Sequence, residues 1–111
     1  MSEPQGRLAA ATAGLDGLDP LLQHPMRLGI CVLLAKVDRM KFARLKGLLD
    51  ATDGNLGAQL LKLEEARYVA VRKAFEGRRP ASWYSLQSRG QDALDRHLAA
   101  MGAIVSASRR R

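Results

Sequence analysis

Only one cysteine, Cys31, occurs in the 111 residues, so no disulfide can close within the chain. This scarcity points to an intracellular, cytoplasmic protein, because small secreted domains rely on paired cysteines. Aromatic residues are also few: one Trp, two Tyr and two Phe, 5% of the chain. Surfaces that hold single-stranded nucleic acid stack its bases on several rings, and this composition argues against such a surface. No apolar run approaches the ~20 residues of a membrane-spanning helix. The segment from Arg7 to Leu18 mimics a short signal sequence, but Gly14 and Asp16 interrupt it. Glu3 and Pro4 also stand where a basic segment belongs, so that reading is rejected. A Gly-rich phosphate loop, a nucleophile elbow and a carboxylate pair in catalytic context are all missing, so no enzyme is expected.

What is present describes one soluble globular domain: 47% hydrophobic and 26% charged residues. Eleven acidic residues face eighteen basic ones, for a net charge of +7. A basic balance favours phosphate-bearing partners, either nucleic acid or an anionic membrane. No strongly hydrophobic helix with a Lys/Arg face is visible to support the membrane reading. With stacking residues scarce, duplex DNA is the favoured nucleic acid. A merely basic domain is the plain alternative.

The most informative stretch runs from Asp50 to Tyr68. Leu56, Leu60 and Leu63 recur at i, i+4 and i+7, one apolar stripe on a helix, and Thr52 stands where its N-cap belongs. Gly54, Asn55, Ala58 and Lys62 point away from the stripe, with Gly57 and Gln59 on its flanks. Small residues let a helix approach a surface closely, and amides can hydrogen-bond base edges. The spacing thus predicts a helix built to lie against DNA.

Residues 1–17 read as a flexible arm, with at most a turn or two of helix near Ala9 to Ala13. Asp19-Pro20 looks like a helix start, and Pro25 opens a stronger helix expected to end near Lys36 to Arg39. Met40-Lys41-Phe42 is long enough only for an edge strand or a turn. Leu45, Leu48 and Leu49 mark a second amphipathic helix, joined to the Thr52 helix by Asp50 and Ala51 alone. Two helices joined so tightly make a helix-turn-helix. Alternation at Val69 and Val71, and again at Tyr84 and Leu86, predicts a β-hairpin with Glu76 to Pro80 at its tip. Ser88 is expected to cap the last helix, and residues 106–111 form a basic tail.

The expected class is therefore mainly α with a small β-hairpin. The element order resembles the winged helix-turn-helix of the MarR-like and ArsR-like transcriptional regulators, in their short stand-alone form. Three runs carry the resemblance: His24-Pro25-Met26-Arg27-Leu28, Thr52-Asp53-Gly54-Asn55-Leu56 through Leu60-Leu61-Lys62-Leu63-Glu64-Glu65-Ala66, and Gly77-Arg78-Arg79-Pro80 through Trp83-Tyr84-Ser85-Leu86. It implies a three-helix core plus wing across residues 18–105, with a C-terminal dimerisation helix at about 88–105. It also implies that the Thr52 helix enters a major groove, with Asn55 reading adenine through its two-bond amide and Gln59 as a second reader. Gly54, Gly57 and Ala58 would permit close approach, and the amides at the helix start, from Thr52 and Asp53 onward, would hold a phosphate. Lys73, Arg78 and Arg79 of the wing, Lys62, and Arg44 and Lys46 of the preceding helix would supply further contacts.

Two positions depart from the family pattern. Arg67 stands where the helix usually ends on glycine, and Gly57 where a serine is frequent. The ArsR-like group also suggests metal sensing, and Asp95-Arg96-His97 matches the first piece of a helix-borne Asp-x-His zinc pattern. The remaining ligands would fall near Ser108 and Arg111, which cannot serve, so no metal or cofactor is expected and His97 reads as a surface or interface histidine. Leu94, Leu98, Met101 and Val105 form a second stripe, expected with Leu15 and Leu18 to join two copies into a homodimer. The alternative is that this stripe packs back on its own domain. A repressor of transcription is the leading expectation, with its small-molecule or protein effector unknown; an adaptor that uses the winged fold to dock proteins is the rival.

Overall fold

The computed structural model describes residues 3–109. Among them are five α-helices: α1 (Glu3–Ala13), α2 (Pro25–Leu34), α3 (Phe42–Leu49), α4 (Asp53–Glu65) and α5 (Ser88–Ser108). Three strands, β1 (Met40–Lys41), β2 (Val69–Glu76) and β3 (Arg79–Leu86), form one antiparallel sheet in the order β1-β3-β2. Short 3₁₀ turns at Gly14–Gly17 and Pro20–Gln23 link α1 to α2.

Local chemistry explains most boundaries. Asp19 Oδ1 accepts from the Leu21 amide at 2.9 Å and starts the second 3₁₀ turn. His24 Nδ1 accepts from the Met26 amide at 3.2 Å, and Pro25 occupies the first position of α2, where it has no missing bond to regret. The helix ends at Leu34, short of the expected Lys36 to Arg39, and its last carbonyls are taken up by the Ala35 and Lys36 amides in a turn. Met40 and Lys41 are indeed an edge strand, paired with Tyr84 and Trp83. Ser88 does not cap α5; Gln87 holds the cap position, and its amide donates to the Tyr68 carbonyl at 2.9 Å.

The helix-turn-helix junction is as short as the sequence demands. Asp50 adopts a left-handed conformation (φ 49°), and the Ala51 amide returns to the Lys46 carbonyl at 3.1 Å. Thr52 Oγ1 then accepts from the Asn55 amide at 3.2 Å and caps α4. At the far end of α4, Arg67 keeps the left-handed geometry that glycine usually supplies (φ 63°). The Tyr68 amide bonds to the Leu63 carbonyl and the Arg67 amide to Glu64, each at 2.9 Å, which is a Schellman motif. A non-glycine residue there costs about 1–2 kcal/mol, which the two bonds and the burial of Leu63 offset.

The core is one cluster that includes Leu22, Ile30, Leu34, Leu45, Leu56, Leu60, Leu63, Val69, Tyr84 and Leu94. Leu48, expected to share it, is exposed, because α3 presents only Leu45 and half-buried Leu49 inward. The N-terminal segment is helical from Glu3 and packs with the following turn on α5. The result is elongated. The radius of gyration is 17.7 Å, against about 13 Å for a compact chain of this length.

Candidate nucleic-acid interface

The stripe of α4 is fully buried, which turns the opposite side of the helix outward. Thr52, Asp53, Gly54, Asn55, Ala58 and Lys62 are exposed and Gly57 is half-buried. Leu56, Leu60 and Leu63 anchor the helix from behind. Asp53 lies in the first turn, where a carboxylate suits the partial positive charge of the amides. It also reaches back to Lys46 Nζ at 2.9 Å across the turn. Lys46 is therefore shared between Asp53 and any phosphate, whereas Arg44 is exposed and makes no ion pair or hydrogen bond among the described residues.

Gln59, expected as a second base reader, is withdrawn. Its side chain is buried, with Oε1 accepting from Arg27 Nη1 at 2.7 Å and Nε2 donating to Asn55 Oδ1 at 3.2 Å. Arg27 in turn donates from Nε to the Leu21 carbonyl at 2.6 Å. Sequence alone could not reveal this, because Arg27 belongs to α2 and meets Gln59 only in the folded chain.

The wing follows from its turn. Glu76 and Arg79 pair across β2 and β3, leaving Gly77 and Arg78 as a two-residue loop. Gly77 has φ 62° while Arg78 does not, the pattern of a type II′ turn, which favours glycine at its first central position. Lys73, Arg78 and Arg79 are all exposed. No hydrogen bond or ion pair among the described residues ties them to α4. Two features of the wing are illegible in the sequence. Phe75 is 75% exposed, opposite Pro80. On the other face Trp83 lies under Arg39, 4.1 Å from the ring centroid, with Lys41 at 5.2 Å. Such stacking is worth about 0.5–1 kcal/mol and holds Arg39 in place. Lys41 also pairs with Glu76.

The second stripe divides. Leu94 is 2% exposed and belongs to the core of its own domain, so it does not face a second copy. The spacing is right, but α5 packs on α2 of its own chain and Leu94 joins the core cluster. Leu98, Met101 and Val105 stay 43%, 38% and 53% exposed, Leu15 is exposed and Leu18 half-buried. His97, expected at the surface or an interface, is not exposed in the single chain. It is buried, with Nδ1 accepting from the Asp19 amide at 2.9 Å. The Asp19 carboxylate accepts from the Tyr68 hydroxyl at 2.5 Å. Burial first, and then this bond, push the Tyr68 hydroxyl up to about 12. His97 thus joins α5 to the segment ahead of α2, and Tyr68 joins the end of α4 to the same aspartate.

Cys31 is buried, and burial pushes its thiol up to about 12, so almost none of it is thiolate at neutral pH. Among the described residues no three His, Cys, Asp or Glu side chains gather as a metal site, and no helix is long and apolar enough to cross a membrane.

The chain resembles several solved structures. A transcriptional regulator homologue from Pyrococcus horikoshii matches with a TM-score of 0.74 and 24% identity, over 96% of each chain. The YusO protein of Bacillus subtilis matches with a TM-score of 0.68 and 18% identity, over 95% of this chain and 72% of that one. A MarR family transcriptional regulator from Streptomyces coelicolor, solved in complex with DNA, matches with a TM-score of 0.65 and 23% identity, over 94% and 69%. No curated protein matches at a significant level. The fold is thus that of the MarR-like regulators. Residues 26–105 match the winged helix DNA-binding domains, and the chain belongs to that family.

Proposed function

We propose that the chain is a sequence-specific duplex DNA-binding regulator of transcription, acting as a homodimeric repressor. The observation that carries this reading is the division of α4. Three leucines hold one side of it in the core, while the front of the other side, at Gly54, Asn55 and Ala58, is exposed and small, with Leu61 and Lys62 exposed further along. A helix so placed fits the major groove, and the backbone amides of its first turn suit a phosphate. The wing, with Arg78 and Arg79 on a tight turn, contributes backbone or minor-groove contacts. The DNA complex of the Streptomyces neighbour supports the same use of the fold.

The dimer rests on different residues. Leu98, Met101 and Val105 are exposed on α5, beside an apolar groove of about 450 Å³ lined by Leu18, Leu28, His97, Met101, Ile104 and Val105, among others. An extended molecule with this surface bare is what half of a two-fold assembly looks like. Pairing there would bring the arm of one copy to the α5 of the other and set two α4 helices about one DNA turn, ~34 Å, apart.

One observation favours the adaptor instead: Phe75 offers a bare aromatic ring on the wing, as a protein-docking surface would. Selection of bound duplexes from a random pool separates the two. The repressor reading expects a palindromic motif with half-sites one turn apart; a pool that stays random favours the adaptor.

A further inference from the structure

The bonds behind Asn55 have a direction, and that direction decides what the exposed amide can read. A guanidinium only donates hydrogen bonds. Arg27 faces the Gln59 amide at 2.7 Å, so Gln59 must turn its oxygen toward Arg27 and its nitrogen toward Asn55. The nitrogen donates, so Asn55 must turn its oxygen inward to receive it, as it does at 3.2 Å. What remains outward is the Nδ2 group of Asn55, a donor. The Asn55 backbone is held at the same time by Thr52 Oγ1, and Arg27 is fixed by the Leu21 carbonyl at 2.6 Å.

We infer that Arg27 and Gln59 are positioning residues that set Asn55 as a hydrogen-bond donor to DNA, so that it selects a base edge rich in acceptors. This rests on the reading of α4 as the groove-binding helix. It alters the expectation of an Asn–adenine pair, which needs the same amide to accept from N6 while donating to N7. With one lone pair of Oδ1 engaged by Gln59 and the oxygen turned toward the protein, that pair is disfavoured. Guanine, whose O6 and N7 both accept, or thymine through O4, fits the outward donor, and cytosine with its N4 donor does not.

The decisive variant is Gln59→Glu. A carboxylate keeps the bond from Arg27 but offers Asn55 an acceptor in place of a donor. Asn55 must then turn its nitrogen inward and its oxygen outward, at almost no change in shape. The measurement is selection from a random duplex pool by the full chain in parallel for wild type, Asn55→Ala and Gln59→Glu, with thermal melts to confirm folding. Asn55→Ala marks the base-pair column that Asn55 reads by flattening it. The expected result is guanine or thymine in that column for the wild type and cytosine or adenine for Gln59→Glu. The added charge weakens all duplexes together and leaves the identity of the base as the readout.

Should Gln59→Glu fail to fold, Arg27→Met serves: it frees Gln59 to turn over, and discrimination in that column is expected to drop about fivefold while affinity for random DNA holds. An unchanged base in Gln59→Glu, or an undiminished preference in Arg27→Met, overturns the inference. So does a wild-type motif in which Asn55→Ala flattens no column, though that result leaves DNA binding intact. A wild type that enriches no motif overturns the parent reading as well.

Discussion

Gly90→Ala should destabilise the fold by about 3 kcal/mol, a large share of the 5–15 kcal/mol that holds a domain together. An added Cβ would lie 2.2 Å from the Tyr68 carbonyl oxygen, 2.9 Å from its carbon and 2.7 Å from Leu86 Cδ1. The leucine methyl can swing aside, but the carbonyl cannot. It accepts the Gln87 amide, its own residue's amide closes the Schellman motif on Leu63, and the Tyr68 ring is tied to Asp19. Relief therefore requires the start of α5 to lift away from the end of α4. Alanine is the better helix former by about 1 kcal/mol, so a net loss isolates the steric cause. Urea unfolding followed by circular dichroism measures it. Gly47→Ala in α3, where no atom lies within 4 Å of the new carbon, is the control and should be neutral or stabilising. Equal stability for wild type and Gly90→Ala would mean that α5 does not pack so closely on Tyr68.

Leu98→Asp with Met101→Asp should convert a dimer into a folded monomer and reduce affinity for a two-half-site duplex by about 100-fold or more, since linked sites gain that much by binding together. Both side chains are exposed in the single chain, so two carboxylates there cost it little. In a two-fold seam the same four charges would be buried against apolar surface without partners, which no interface of modest size tolerates. Sedimentation at micromolar concentration, with circular dichroism as the check on folding, tests this. The contrast with Leu94 is informative, because aspartate there would enter the core and unfold the monomer itself. A wild-type chain that already sediments as a monomer at micromolar concentration would rule out the seam.

The pattern of leucines on α4, its threonine cap, the two-residue junction before it and the Gly-containing hairpin are all visible in the sequence. Each is set by neighbours a few residues apart, and local spacing is what sequence records best. The wing's glycine is legible for the same reason, whereas Arg67 stands out only as a departure from the family pattern, and its left-handed geometry comes from the structure. The misjudged residues share another cause. Gln59, His97 and Leu94 each meet partners from distant parts of the chain: Arg27 of α2, the Asp19 amide, and the core beneath α5. A stripe at helical spacing tells that a surface is apolar but not whether its own domain or another chain covers it. Ser88 lost its expected role because the Tyr68 carbonyl claims the amide of Gln87, setting the start of α5 one residue earlier than a hydroxyl cap would. The helix at Glu3–Ala13 has few apolar residues to announce it and leans on α5 instead.

The most direct test of the central claim is an anisotropy titration of a selected duplex and a random one between 50 and 200 mM salt. It would compare wild type, Asn55→Ala, and Arg78→Ala with Arg79→Ala. A groove-reading α4 beside a phosphate-gripping wing predicts a log–log salt slope of about −0.9 per neutralised phosphate for the wild type. Asn55→Ala should lose about 1–3 kcal/mol on the selected duplex and almost nothing on the random one. The wing variant should weaken on both and show a flatter slope. Wild-type protein that binds neither duplex at 50 mM salt, or an Asn55→Ala variant that loses equally on both, would contradict the account.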